Sequence, residues 1–283
     1  MRTRDVTPGL ERSCADDWVR AAPWQQGIQR IEAFFSGEAY APHRHDTYAI
    51  GFTIRGVQSF DYRGSRADST SGRIIVLHPD EVHNGEAGSE EGFHYRMMYI
   101  EPSLVRDALV SSTLALPFVK DAVLDDPKLM QAIQAAFSDM DTQLEQIALD
   151  EIAGLLADGL LANDKSVNRA STSLIDVNAI DRAREYLDAN YDSTVASSQL
   201  EVITGQDRFS LARQFRKALG TSPYRYLMMR RLDRARAKIA TGFSLTDAAL
   251  ATGFSDQSHM TRCFKASYGI SPGHWQRLVS HTV

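Results

Sequence analysis

Two stretches of this chain, 49 positions apart, repeat one pattern, and that repeat constrains the possible folds more than any other feature. In the downstream copy, residues 244–275 (SLTDAALATGFSDQSHMTRCFKASYGISPGHW), Ser244 followed three residues later by Asp247 predicts a capping-box-like helix start. The small residues Ala248, Ala249 and Ala251 suit a helix packed closely on a neighbour. Gly253 can take the left-handed conformation of a tight turn, Phe254 can plug the angle, and Ser255 reads as the N-cap of the next helix. Met260 and Phe264, four apart, then point to one core. The upstream copy, residues 197–224, keeps this order with Gly205, a capping Asp207, and Leu211 and Phe215 four apart. Each copy closes on a helix stopped by glycine, at Gly220 and Gly269, with Ser-Pro shortly after. Two copies are too few for a solenoid, so a pair of helix-turn-helix units is predicted.

With Met260 and Phe264 inward, Gln257, Ser258, Thr261, Arg262 and Lys265 form the opposite, wet face. Polar and basic side chains of this kind suit base edges and phosphates at major-groove depth; the bland alternative is a helical hairpin with a solvated face. Residues 223–240 (PYRYLMMRRLDRARAKIA), between the copies, are rich in helix formers and open on a proline, which a first helical turn tolerates. A helix of that length spans about 27 Å, near the roughly 34 Å between successive major grooves on one face of a duplex. The net charge of −5 argues against a polyanionic partner only until it is mapped. Residues 178–283 carry 15 Lys+Arg against 9 Asp+Glu, a balance of +6, while the remainder carries 16 against 27, or −11. A basic module behind an acidic front half is the asymmetry expected when only one domain touches phosphates.

These two units, the joining segment RRLDRARAKI and the closing GFSDQSHMTRCFK and YGISPGHW resemble the DNA-binding domain of AraC/XylS-type transcription regulators over residues 177–283. The resemblance implies an all-α domain of two helix-turn-helix motifs joined by a long helix, double-stranded DNA as partner, and contact with RNA polymerase. It also implies base-reading positions: Gln257, Ser258, Thr261 and Arg262 in the second unit, the face already reached from periodicity, and Arg208, Phe209, Ala212 and Arg213 in the first. Two features depart from the pattern. Phe209 and Ala212 offer a base only apolar contact, for instance to a thymine methyl, and Glu201 stands where family members usually carry a small alanine.

The front half is different in kind. At 283 residues and 43% hydrophobic, the chain can hold two domains with their own cores. No apolar run approaches 18 residues and the N-terminus lacks the apolar stretch of a signal peptide, so a soluble, cytoplasmic protein with no membrane partner is expected. Cys14 and Cys263 share no pairing pattern, which argues against a disulfide or a zinc site built on them. After a polar arm to about residue 25, segments 27–35, 47–56, 58–64, 72–79 and 93–102 are short, rich in β formers and separated by Gly, Pro, Ser or Asp. The alternation of Tyr48, Ile50, Phe52 and Ile54 predicts one apolar face turned inward, and several such strands suggest a sandwich or barrel.

Within those segments, Gly37-x5-His43-x-His45, Gly56 and Pro79-Asp-Glu-Val-His83-Asn resemble the two halves of a cupin signature, spanning about residues 27–102. In metal-binding cupins a glutamate completes the set of three histidines; here Ala49 or Ile50 occupies its place. Three imidazoles remain competent zinc or iron ligands, but the incomplete set and the DNA-binding half favour a metal-free sensor pocket without a cofactor. The other alternative is that the histidines only hydrogen-bond within a barrel rim. The candidate effector-binding residues are His43, His45, Tyr48, Tyr62, His83 and Arg96, of which the motif places only the imidazoles.

Residues 103–162 switch to helical spacing, with Ile133, Phe137, Met140, Leu144 and Ile147 at alternating four and three, then Leu155 and Leu156. A period near 3.5 fits the seam of a helix pair across a homodimer, or a helix packed on its own barrel. The polar stretch NDKSVNRASTS, 163–173, reads as a linker, which divides the chain into a sensing and dimerisation domain (1–162), a linker (163–176) and a DNA-binding domain (177–283). The expected fold is α+β in two domains: a cupin-like β-barrel with following helices, then the all-α domain. The expected function is a DNA-binding transcription regulator, an activator and not an enzyme, whose barrel senses a small-molecule effector. The rivals are a cupin metalloenzyme with an accessory helical domain, and a regulator controlled by a partner protein.

Overall fold

The computed structural model of the chain describes residues 17–109, 115–165 and 175–280. Most of the predicted linker, much of the N-terminal arm and Cys14 lie outside the described residues.

The front domain is an antiparallel β structure of β1 (Trp18–Ala21), β2 (Ile28–Phe35), β3 (Glu38–His43), β4 (Tyr48–Tyr62), β5 (Ser65–Thr70), β6 (Ile74–Leu77), β7 (His83–Ala87), β8 (Phe93–Ile100) and β9 (Val123–Leu124). Strands run in the order β1-β2-β8-β4-β6-β9; β5 and β7 add to the far half of β4, and β3 adds to β7. The sequence suggests two strands across residues 47–64, whereas β4 is one strand of 15 residues that changes partners midway. The change occurs at Gly56, which has φ +76°; a Cβ there would lie 2.0 Å from the carbonyl oxygen of Gly92. Just before it the pairing with β8 slips between Thr53 and Arg55, a bulge that bends the strand.

Alternation along the strands sends two apolar sets to opposite faces. Ile31, Ala33, Phe35, Ala49, Phe60, Leu77, Phe93, Tyr95 and Met97 fill the interior. Tyr48, Ile50, Ile74, Val76, Met98 and Ile100 form the back, covered by α2 (Pro127–Ala136) and α3 (Gln146–Ala162), with α1 (Pro102–Asp107) alongside. The alternation of Tyr48 and Ile50 is therefore present, but the face they share is this helix-covered back. The same packing uses most of the apolar stripe of residues 133–156. Ile133, Phe137, Met140 and Leu156 are buried against the sheet, the chain leaves helix between α2 and α3, and only Ile147, 76% exposed, is left facing solvent.

The C-terminal domain comprises α4 (Val177–Ala189), α5 (Ser197–Thr204), α6 (Arg208–Leu219), α7 (Pro223–Ala240), α8 (Leu245–Leu250), α9 (Gln257–Tyr268) and α10 (Pro272–Ser280). The predicted punctuation is present. Asp207 and Ser244 cap α6 and α8, and Gly205, Gly220 and Gly269 close α5, α6 and α9 in the left-handed region. At Gly253, φ +79°, a Cβ would lie 2.7 Å from the backbone oxygen of Asp192, so the α8–α9 turn fits against the α4–α5 loop only as glycine. One cap differs: Asp256, not Ser255, caps α9. Its carboxylate accepts the His259 N–H at 2.7 Å, and the Ser255 hydroxyl instead donates to that carboxylate at 3.1 Å. Phe254, Met260 and Phe264 are buried as the periodicity predicts.

Helix α7 is more than a spacer between the two units. Its Met228, Met229, Leu232, Ala235 and Ile239 belong to the same apolar cluster as the β interior, so the two domains share a core. Arg230 lies at this boundary, paired with Glu101, with Asp46 at 3.1 Å and with Asp233 at 3.1 Å. Arg225 pairs with Asp80 at 2.7 Å, and Arg106 of α1 reaches Asp181 of α4 at 2.8 Å.

Two outcomes follow from this packing. Met260→Asp buries an unpaired carboxylate and should unfold the second unit, read as loss of helical circular dichroism and of DNA binding; unchanged binding would overturn the assigned core face. Arg230→Met leaves Asp46, Glu101 and Asp233 without their counter-charge and should lower stability by roughly 3–5 kcal/mol in urea denaturation.

Candidate DNA interface and effector cleft

Helices α6 and α9 present their N-terminal turns outward. On α9, Gln257, Ser258 and Arg262 are exposed and Thr261 is half-buried; on α6, Arg208 and Arg213 are exposed, Ala212 is half-buried and Phe209 is 67% exposed. All eight predicted base-reading positions thus lie on accessible helix surface. The Thr246 hydroxyl donates to the Gln257 side-chain oxygen at 2.8 Å, which braces α8 against α9. A phenyl ring held in water, as Phe209 is, suits apolar contact with a thymine methyl. Glu201 accounts for the other departure: its carboxylate accepts the Arg208 backbone N–H at 2.9 Å and faces the Arg208 guanidinium at 3.5 Å. It ties down the first α6 side chain that would otherwise reach freely.

Between the domains lies a cavity of about 140 Å³. Cavities of roughly 150 Å³ hold a benzene-sized molecule. The β domain contributes Trp24, Tyr40, His43, His45, Asp46 and Tyr99, and the helical domain contributes Met229, Arg230, Arg234 and Trp275. The aromatic rings give an apolar body to the cleft and the charges give it orientation. Among the described residues five buried side-chain polar atoms have no hydrogen-bond partner, and three of them belong to cleft residues: His45 Nε2, Asp46 Oδ1 and Arg230 Nε.

The three predicted histidines do converge. Ring centroids are 4.3 Å apart for His43 and His83, 4.9 Å for His45 and His83, and 6.0 Å for His43 and His45. Strand pairing causes this, since His43 at the end of β3 stands opposite His83 at the start of β7. In each ring Nδ1 lies 2.9 Å from a backbone carbonyl two residues away, of Ala41, Thr47 and Glu81 respectively. A carbonyl can only accept, so each Nδ1 carries the proton and each Nε2 keeps a lone pair. Burial, with the neighbouring His83, holds His43 and His45 well below the usual imidazole range, and burial takes His83 to about 4, so all three are neutral at pH 7. Burial also pushes the Asp46 carboxyl up to about 7 against the pull of Arg230.

Tyr48 and Arg96 separate from this group, and Tyr62 stays only at its edge. Tyr62 stands beside His83 in the β4–β7 pairing and lines a second cleft with it, its hydroxyl accepting the His78 N–H at 3.1 Å; neither Tyr62 nor His83 lines the cavity between the domains. Tyr48 is on the back of the sheet, its hydroxyl donating to the Pro117 carbonyl at 3.1 Å. Arg96 is also on the back, paired with Glu32 at 3.0 Å and lying over the Phe137 ring. The reason is strand parity: Tyr95 and Met97 face inward, Tyr99 on the same parity lines the cleft, and Arg96 between them points out. Tyr99 was legible by that parity. Arg230 and Trp275 carried no local signal, because domain docking brings them to the cleft. Cys263 is half-buried, and burial raises its thiol, which leaves it a poor nucleophile.

Comparison with known proteins agrees with this architecture. The sequence profile of the AraC-like ligand binding domain matches residues 25–157, and that of a helix-turn-helix domain matches residues 202–278. The uncharacterized HTH-type transcriptional regulator YbfI of Bacillus subtilis (strain 168) is 26% identical over 235 residues, covering 81% of this chain and 86% of its own. The HTH-type transcriptional activator RhaS of Yersinia pestis is 25% identical over 258 residues, covering 86% and 91%. Unsaturated fatty acid bound ToxT from Vibrio cholerae strain SCE256 superimposes with a TM-score of 0.62 at 13% identity, covering 96% of this chain and 99% of that one, which shows the same two-domain fold. The two matched domains, in this order and over this geometry, make the chain a member of the AraC family of transcriptional regulators, with an N-terminal ligand-binding domain and a C-terminal helix-turn-helix DNA-binding domain.

Proposed function

We propose that α6 and α9 read two successive major grooves of one duplex, through Arg208, Phe209, Ala212 and Arg213 in the first and Gln257, Ser258, Thr261 and Arg262 in the second. The effector is a small, partly apolar molecule that enters the cleft between the domains. One observation carries this: the cavity is walled by both domains, by Trp24, Tyr40 and Tyr99 on one side and by Met229, Arg230 and Trp275 on the other. A molecule seated there cannot be indifferent to their relative placement. It binds one arrangement better than another and shifts the population by that difference in affinity. That ToxT, which shares the fold, is known with a fatty acid bound supports a ligand-accepting architecture of this kind.

The chain acts in the cytoplasm as a regulator, not an enzyme, and as an activator that contacts RNA polymerase. It works as a homodimer whose paired surfaces lie outside the apolar stripe already used against the sheet. No helix among the described residues is long and apolar enough to cross a membrane.

Genome-wide occupancy in the native cell tests the DNA reading. Peaks should share a bipartite motif with half-sites about one helical turn apart, and the adjoining genes then nominate effectors for binding assays. Arg262→Ala should weaken binding by roughly 1–3 kcal/mol and relax preference at one base position in selection from a random DNA library. Uniform weakening across all sequences would make Arg262 a phosphate contact instead.

A further inference from the structure

We infer that His43, His45 and His83 bind a divalent transition-metal ion of the zinc type, at the point where the β domain meets the end of α9. The missing glutamate of the sequence motif counts against such a site, and no carboxylate joins the three imidazoles among the described residues. The arrangement of the rings nevertheless fits a metal better than it fits a hydrogen-bonded rim. One ring nitrogen from each residue lies within 4.8 Å of those of the other two. Each ring has spent its single proton on a backbone carbonyl, so none can donate to another, and each keeps an Nε2 lone pair as its free ligand atom. His45 Nε2 is buried and has no partner. A cation supplies what such a set lacks.

The backbone bonds are also the outer support that metal-binding histidines use: an Nδ1–H held by a carbonyl fixes the tautomer and aims Nε2. Ligand nitrogens around a tetrahedral zinc stand about 3.3 Å apart, given Zn–N distances of about 2.0–2.1 Å, so small ring rotations close the set. Three neutral imidazoles suit zinc, and with it iron, copper and nickel, and leave a further coordination position open.

The location gives the ion a consequence. The Arg44 N–H donates to the Ala266 carbonyl of α9 at 3.2 Å, and a Cβ on Gly269, the C-cap of α9, would lie 3.0 Å from His43 Nδ1. The end of the second recognition helix rests on one of the three ligands. An ion that fixes His43 therefore steadies the seat of α9 on the β domain.

The test uses the full chain without a polyhistidine tag, stripped with chelator and then dialysed against Zn²⁺ or Co²⁺. Expected results are one ion per chain, the intense visible bands of low-coordinate Co²⁺, a rise in melting temperature with Zn²⁺, and greater amide-exchange protection at residues 266–271. His83→Ala and, separately, His45→Ala should each lose at least about tenfold in metal affinity, with melting in the absence of metal showing that each variant still folds. Binding well below one ion per chain, or unchanged affinity in both folded variants, would overturn the site. One bound ion with unchanged protection at 266–271 would overturn its link to α9.

Discussion

Arg230 carries a full charge into the boundary between the two domains, where Asp46 and Glu101 of the β domain and Asp233 of its own helix surround it. Much else depends on that placement. Met228, Met229 and Leu232 of the same helix belong to the apolar cluster that runs on into the β interior, so the two domains share one core. The placement also sets Met229 and Arg230 as one wall of the cleft and lowers the α9–α10 corner onto the histidines. A buried ion set of this kind is a poor source of net stability, because desolvating the charges opposes their attraction. Its contribution is positional: a guanidinium can satisfy three carboxylates in few orientations, so it fixes how one domain sits on the other.

How much of this was legible divides by the range of the interactions. The helical domain was almost fully readable, because its signals are local. Glycines in the left-handed region, capping side chains and apolar pairs four apart act within one or two turns, and Gly205, Gly220, Gly253, Gly269, Met260 and Phe264 all behave as their spacing predicts. Even the misplaced cap fails by a single residue, since Ser255 and Asp256 both have N-cap chemistry and the carboxylate is the one that reaches the His259 N–H. The three histidines were legible for a similar reason. Two lie two residues apart, and the third is placed by a strand partner.

The sheet was less readable because a strand's apolar face does not say what covers it. Tyr48 and Ile50 alternate as they should, yet helices rather than the interior cover them, and this took Tyr48 and Arg96 out of the candidate site. The stripe of residues 133–156 poses the same ambiguity at helical period. An intermolecular seam and a helix packed on its own sheet have identical sequence patterns, and in this fold the apolar back of the sheet takes up most of the stripe. Domain docking left no local trace at all. Arg225 and Arg230 read as surface charges of a rod until Asp80, Asp46 and Glu101, 129 or more residues away, are brought against them.

A boundary that mixes these charges with methionine and aromatic packing also limits how the domains can move. Full separation would open the apolar cluster that the two domains share, at about 25 cal/mol for each Å² of apolar surface returned to water. The difference in binding energy of one small ligand is modest beside that, typically 1–3 kcal/mol of coupling. An effector seated in the cleft, as proposed, would therefore act through a shift within the docked state, with the shared core closed. Such a shift acts unequally on the two reading helices. Helix α9 touches the β domain where Gly269 approaches His43 and the Ala266 carbonyl accepts the Arg44 N–H, whereas α6 meets the front domain through α1 and near its own C-terminal end, where Gly220 lies on Pro79 and the Lys217 carbonyl accepts the Leu116 N–H. The N-terminal turn of α6, which carries Arg208 and Phe209, is held by Glu201 of its own unit. Of the two reading helices, α9 is thus the one whose end touches a cleft residue, His43, while the N-terminal turn of α6 is held within its own unit.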